Sequence, residues 1–280
     1  MSPRRRHAQD AHATKKTCAG CACHENVFGH RKKLEFLRSK ISECVGQQPG
    51  RALRLLDVGC SNGQYVTIHL GDLGVSILAI DPHEPSIRYA REHNPYPETI
   101  EFRVATVDQL PEDEKFDIVV MGDVLEHLEN PGALLDSVRQ RLTADGIVLV
   151  SIPNGWGPFE IENALDKRGC LAPSYLLFRA LCALKGFLTR RGRVPKRADR
   201  EAAYAHECGH VQFWTLGAFR RLLADHGFEI GEMRKGPWLG ALCTSTWWGR
   251  SRRFCLWNAR MGDFLPSWAV SAWYFAARLR

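Results

Sequence analysis

The stretch LLDVGCSNGQYV, Leu55 to Val66, decides how the rest of the chain is read. An apolar run ends in an acid, Asp57, and the chain then bends through Gly59 and Gly63 before a new segment opens at Gln64. A strand that stops on a carboxylate and glycines builds a ligand crevice, because open α/β sheets bind their ligands just beyond the carboxyl ends of their strands. Working outward, apolar runs of strand length recur at Leu53 to Val58, Val75 to Ile80, Ile100 to Val104, Phe116 to Met121 and Ile147 to Ile152. Amphipathic stretches lie between them at Gly63 to Leu70, Glu84 to His93 and Pro131 to Leu142. A leading helix is marked over Asn26 to Val45 by Leu34, Leu37 and Ile41. The runs lack polar alternation, as strands covered on both faces do. The pattern predicts an α/β fold: a doubly wound, mostly parallel seven-stranded sheet.

With 280 residues the chain can bury one substantial core, or a core domain with an appended lobe. The net charge of +7 is gathered in segments, Arg4 to Arg6, Lys15 and Lys16, Arg190 to Arg200, and Arg250 to Arg253. Such clusters suit a local anionic surface, a membrane or a phosphate, better than a continuous nucleic-acid track. The ten cysteines are scattered through apolar segments, as at Cys60, Cys182 and Cys243, and read as reduced thiols of a cytoplasmic protein. The N-terminus is basic but has no apolar region after it, so it does not read as a secretory signal. No uninterrupted apolar run reaches the roughly 18 residues of a membrane span.

Residues 1–25 read as a flexible basic tail and 26–248 as the main domain, with a helical cap inserted over 156–205 after the fifth strand. A helix is expected from Thr215 to His226, then a hairpin at the sheet edge, Phe228 to Met233 and Leu239 to Trp248, split by RKGPW. Residues 249–280, ending FLPSWAVSAWYFAARLR, read as an aromatic and basic C-terminal extension.

Two cofactor classes compete for the crevice. A dinucleotide site uses G-x-G-x-x-G to seat a pyrophosphate on the next helix, but here Ser61 stands between the glycines and Val66 where a third would fall. The alternative is S-adenosylmethionine, a sulfonium with an amino-acid end and no phosphate. Asp57 can hold its ammonium, while Gly59 and Gly63 let backbone approach the methionine part without a Cβ. The next strand ends in AIDPHEP, where Asp81 suits bidentate hydrogen bonds to ribose hydroxyls, and a third ends in VATVDQLP, where Thr106 and Val107 can line the adenine with Asp108 near its amino group.

The ordered set LLDVGCSNG, AIDP, FDIVVMGDVLEHLENP and LTADGIVLVSIPN resembles the class I S-adenosylmethionine-dependent methyltransferases, over roughly Leu34 to Trp248. The resemblance implies a Rossmann-like methyltransferase domain and adds Cys60, Pro82 and Gly122 to the cofactor-binding residues. The family usually offers an Asp where Thr106 stands, so the adenine contacts depart from its pattern.

Methyl transfer needs an aligned nucleophile and, for a hydroxyl acceptor, a group that removes its proton. In a helical turn after the fourth strand, Asp123, Glu126 and His127 stand at i, i+3 and i+4 on one face, and His210 lies far along the chain. Three uses stay open for this set: a divalent metal site, a metal-free base or orienter in His127 or His210, and a structural role. The metal is the least favoured, because VLEHL is widespread among methyltransferases without one and Asp123 reaches one methylene less than Glu. The segment is similar to the E-x-x-E-H of ubiquinone-biosynthesis O-methyltransferases. It also resembles metal-dependent 2'-O-methyltransferases of small-RNA 3' ends, whose distant His precedes F-x-W-T as His210 does here.

The cluster CAGCACH, with Cys18, Cys21, Cys23 and His24, has ligands enough for zinc, but its Cys-x-Cys-His end is cramped and incidental thiols are the commoner outcome. The insertion, apolar from Leu171 to Leu188 and then basic, suits a bilayer surface or a greasy acceptor, or simply a cap packed on the core; WYFAARLR would help in either of the first two roles, although an aromatic C-terminus is more often core than membrane anchor. The expected function is O-methylation of a small or lipid-linked molecule, a quinone precursor, a phenol or a sugar, in the cytoplasm or peripherally on the inner face of the membrane. An RNA 2'-O-methyltransferase, a nicotinamide oxidoreductase and a non-catalytic cofactor-binding module are the rivals, and nucleic acid is the disfavoured partner.

Overall fold

The computed structural model describes residues 25–189 and 209–280; the N-terminal tail with CAGCACH, and the basic run of the insertion, lie outside the described residues. Helix α1 (His30–Gln47) leads. Its first N–H groups, those of Arg31 and Lys32, donate to the carboxylate of Glu25. There follow β1 (Arg54–Val58), β2 (Ser76–Asp81), α2 (Glu84–Glu92), β3 (Ile100–Val104), β4 (Phe116–Gly122), α3 (Pro131–Arg141) and β5 (Leu142–Pro153). Helices α4 (Pro158–Lys167) and α5 (Ala172–Thr189) form the insertion, and α6 (Leu216–Asp225), β6 (Phe228–Lys235), α7 (Leu242–Trp248), α8 (Arg252–Phe264) and β7 (Ala272–Leu279) complete the chain.

The strands form one seven-stranded sheet in the order β3-β2-β1-β4-β5-β7-β6. The first five are parallel, and β7 runs antiparallel to both neighbours. Strand β4 is buried along Phe116 to Met121, which requires cover on both faces. Leu56, Val119, Val148 and Phe275 pack with α3 and α6 on one side. Leu55, Ile118, Val120 and Leu149 pack with α1 and α2 on the other. The order reverses at β1, between β2 and β4, so the crevice for a ligand opens beyond the ends of those strands.

Three sequence expectations are corrected here. The expected extension 249–280 supplies the sheet with β7, whose Trp273, Tyr274 and Phe275 are at most 2% exposed. Burial of each such side chain is worth about 1.5–3 kcal/mol, which the slot between β5 and β6 realises and a membrane anchor would not. Leu239 to Trp248 does not form the second arm of a hairpin, since β7 takes that place and Pro237 and Gly240 end the extended run before α7. The stretch Gly63 to Leu70 is turns and a short 3-10 segment, Thr67–Leu70, because Gly63 is left-handed (φ 73°) and the β-branched Val66, Thr67 and Ile68 favour helix weakly.

Helix α8 is tied to α1 by the buried Lys32, whose ammonium donates to the Ala259 carbonyl (2.8 Å) and to Asp263 (2.7 Å). Helices α4 and α5 rest on α7, where Thr244 donates to Glu162 and Phe178 meets Trp247 edge-on at 5.2 Å.

Candidate functional site

Asp57 pairs in register with Ala79 of β2 and Val120 of β4, so it sits at the strand ends where the sheet reverses. The N–H groups of Gly59 and Cys60 donate to the Ile80 carbonyl at 2.9 and 3.0 Å, and that of Ser61 donates to Asp81 at 2.9 Å. The loop after β1 is thereby fastened to the end of β2, and the carboxylates of Asp57 and Asp81, at the ends of adjacent strands, lie near enough to act on each other. Gly59 has φ 69°, and a Cβ there would lie 2.7 Å from Val124. Asp81 also accepts from the His83 N–H at 2.8 Å. Asp57 is 2% exposed and accepts from the Thr67 hydroxyl at 2.6 Å. Burial pushes its carboxyl up to about 7, opposed by the Thr67 bond and by the charge of Lys33.

The other expected cofactor residues are placed unevenly. Pro82 is exposed and Gly122 half-buried at the crevice edge. Cys60 is buried and its thiol is pushed well up by burial, then by Asp57 and Asp81, which leaves it inert as a nucleophile. Thr106 accepts a turn N–H and has its own N–H taken by Gln109, so it caps the 3-10 segment Val107–Gln109. The Val107 side chain belongs to the core at 2% exposure, and Asp108 accepts from Ser137 on α3. The Val107 side chain is thus committed to the core, whereas Asp108 remains exposed.

Asp123 has φ 57°, which ends β4 in a left-handed turn, and only Leu125–His127 coil beyond it. The expected shared helical face of Asp123, Glu126 and His127 therefore does not form. Asp123 instead pairs with Lys33 of α1 at 2.6 Å and accepts from Ser151 of β5 at 2.6 Å. Its enclosure would raise the carboxyl, but the charge and hydrogen bond of Lys33 and the Ser151 bond outweigh it and hold the group below its ordinary range. Solvent still reaches 44% of its side chain. Beside it, the His30 imidazole is driven down to about 4 by burial and then by Lys33. Its Nε2 has no hydrogen-bond partner among the described residues.

Glu126, His127 and His210 do come together, with one ligand atom from each within 4.8 Å of the others. The distant His210 is brought to this turn because the N–H groups of Val211 and Gln212 donate to the Glu126 carbonyl at 2.9 and 3.1 Å. The His127 and His210 rings meet edge-on at 5.0 Å, and His210 Nδ1 lies 2.5 Å from Glu160 of α4. Glu126 is 1% exposed, and its Oε2 has no partner among the described residues. Burial, then Asp123, pushes this carboxyl well above its usual range. An orphaned buried oxygen beside two imidazoles is a donor set that suits a divalent cation.

Lys33, Ser151 and Glu160 were not singled out by sequence. Lys33 follows the buried Lys32 and precedes Leu34 in a run of three cations, and only the docking of α1 separates their roles.

Residues 28–232 match the family described as a methyltransferase domain. The chain is 32% identical over 132 residues to the mitochondrial ubiquinone biosynthesis O-methyltransferase of Bos taurus, covering 44% of this chain and 35% of that protein. It is 32% identical over 120 residues to the ubiquinone biosynthesis O-methyltransferase of Bradyrhizobium diazoefficiens, covering 42% and 45%. The chain spans less than half the length of these relatives. The fold is similar to that of magnesium protoporphyrin IX methyltransferase from Synechocystis PCC 6803, crystallised with SAH, at a TM-score of 0.51 and 16% identity over 90% of this chain and 85% of that one.

Proposed function

Because the chain belongs to the methyltransferase-domain family, we propose that it transfers a methyl group from S-adenosylmethionine to an oxygen of a small, lipid-linked acceptor such as a quinone precursor. The observation that supports this reading is the grouping of Asp57 and Asp81 at the ends of adjacent strands, bound through the loop after β1, with the Lys33–Asp123 pair close by. Asp81 is the partner for ribose hydroxyls, and Asp57 and Asp123 are the anions available to the ammonium. Lys33 is the cation available to the ligand's carboxylate, a residue role added by geometry. When bound, the cofactor supplies an activated methyl on a good leaving group. The chain's own task is to align the acceptor and take its proton.

Glu126, His127 and His210 are the groups for that task. His127 or His210 serves as the base; if a divalent cation is held by the three, it orients the acceptor oxygen and lowers its pKa. The ubiquinone enzymes named above favour a phenolic acceptor.

A lipid-surface location is part of the proposal. Among the described residues no helix is long and apolar enough to cross a membrane. What supports a surface location is apolar exposure: Leu176 and Leu177 on α5 are 63% and 55% exposed. Phe264 at the end of α8 is 82% exposed and Trp268 beyond it 75%. Arg253 and Arg260, also exposed, share the outer face of α8 with Trp257 and Phe264, the mixed aromatic and cationic pattern of a membrane-interface helix.

The test is incubation of the protein and cofactor with demethylated quinone precursors in anionic vesicles, read by mass. A gain of one methylene mass on an acceptor oxygen is expected. No transfer to any member of a quinone, phenol and sugar panel would reject the acceptor class. Failure to sediment with the vesicles would reject the surface location.

A further inference from the structure

We propose that Glu160, on the inserted helix α4, is a positioning residue that fixes the tautomer of His210 and so makes the insertion part of the catalytic centre. The inference rests on the reading of His210 as base or cation ligand given above and assigns a role to a residue outside that set. His210 Nδ1 and Glu160 Oε1 are 2.5 Å apart, with their side chains 19% and 10% exposed. A carboxylate can only accept, so the proton of this contact belongs to Nδ1 of the neutral ring. The lone pair is then on Nε2, the form needed to bind a cation or take a proton. A carboxylate or carbonyl behind a ligating imidazole sets ring orientation and raises basicity, and its loss typically costs 10–100-fold in metal affinity.

The construction of α4 bears this out. The helix has no fully buried residue, so burial of apolar side chains is a small part of what holds it in place. Two of its acids are directed inward instead: Glu160 to His210, and Glu162 to the N–H and hydroxyl of Thr244 on α7 at 2.7 and 2.5 Å. Glu160 stands in the first turn after Gly157 and Pro158, where the helix's unpaired N–H groups stabilise negative charge. Phe159, next to it, packs on the same imidazole at 5.7 Å and limits its rotation. The insertion that is expected to meet the acceptor is therefore bonded directly to a group expected to act on it.

The test needs no acceptor. Ring-nitrogen shifts of 15N-labelled, metal-free protein report the His210 tautomer, with the resonance assigned by its loss in His210→Gln. The wild type should carry the proton on Nδ1. Glu160→Leu should lose that preference, while Glu160→Gln, whose amide oxygen still accepts, should keep it. Mn2+ titrated into the full chain should bind Glu160→Leu about 10–100-fold more weakly than wild type, with S-adenosylmethionine affinity and melting unchanged. A wild-type His210 protonated on Nε2, or a tautomer unaltered in Glu160→Leu, overturns the proposal. A wild type that binds no Mn2+ removes the cation reading only, and the tautomer still decides the role of Glu160.

Discussion

Lys33 of the first helix and Asp123 at the end of the fourth strand are 90 residues apart in sequence, and their charged atoms are 2.6 Å apart. The pair is partly solvated, so it adds at most about 1 kcal/mol to stability. Its value lies in what it holds ready, a cation and an anion facing a crevice whose proposed ligand ends in a carboxylate and an ammonium. Lys33→Met is expected to weaken S-adenosylmethionine binding about 10–100-fold, the loss of one charge-assisted hydrogen bond, with little change in melting. Calorimetry on the variant checks this, and unchanged affinity removes Lys33 from the site.

Asp57 sets the pH dependence. Burial holds its carboxyl at about 7 against an ordinary 3.8, so the folded chain keeps a proton that the unfolded chain releases. The contribution to stability is fully present below the unfolded value and is lost as pH rises through the folded one, between about pH 4 and 7. Melting of wild type should therefore decline relative to Asp57→Asn across that interval. Binding of an ammonium favours the ionised form, so cofactor affinity should rise toward pH 7 with release of a proton. Calorimetry in two buffers of different ionisation enthalpy measures that proton.

The strands of the first half were legible from Leu53 to Ile152 because buried parallel strands leave continuous apolar runs. The C-terminal half was less so. The run WYFAA is apolar at every position, which suits a strand covered on both faces as well as an amphipathic tail, and only the vacancy between β5 and β6 decides between them. Among the candidate site residues, Asp57 and Asp81 stand out in sequence as acids at strand ends, and the nearness of Glu126, His127 and His210 was expected from their motifs. The departure of Asp123 was not, since the left-handed turn that carries it toward Lys33 falls on a non-glycine residue. Glu160 gave no signal, because an acid in a first helical turn is ordinary and its partner lies 50 residues away.

If Glu126, His127 and His210 hold a cation, chelation will reduce turnover and Mn2+ will restore it. Glu126→Gln keeps the shape but removes the charge, and should weaken Mn2+ binding by more than tenfold. Full activity in EDTA would assign the cluster to metal-free proton transfer.

Strand β7 should behave as core. Trp273→Ala is expected to cost about 3–5 kcal/mol in urea unfolding, and removal of residues 272–280 to abolish cooperative folding. A truncated chain that still melted cooperatively would return this segment to the status of an appendage.

The claim on which the account turns is that Asp81, bonded to the loop after β1, holds the ribose of S-adenosylmethionine. Titration calorimetry of the cofactor into wild type and Asp81→Ala tests it most directly, with thermal melting as the control for fold. One-to-one binding to wild type, undetectable in a variant that still unfolds cooperatively, is the predicted result; equal affinity in the two proteins would contradict it.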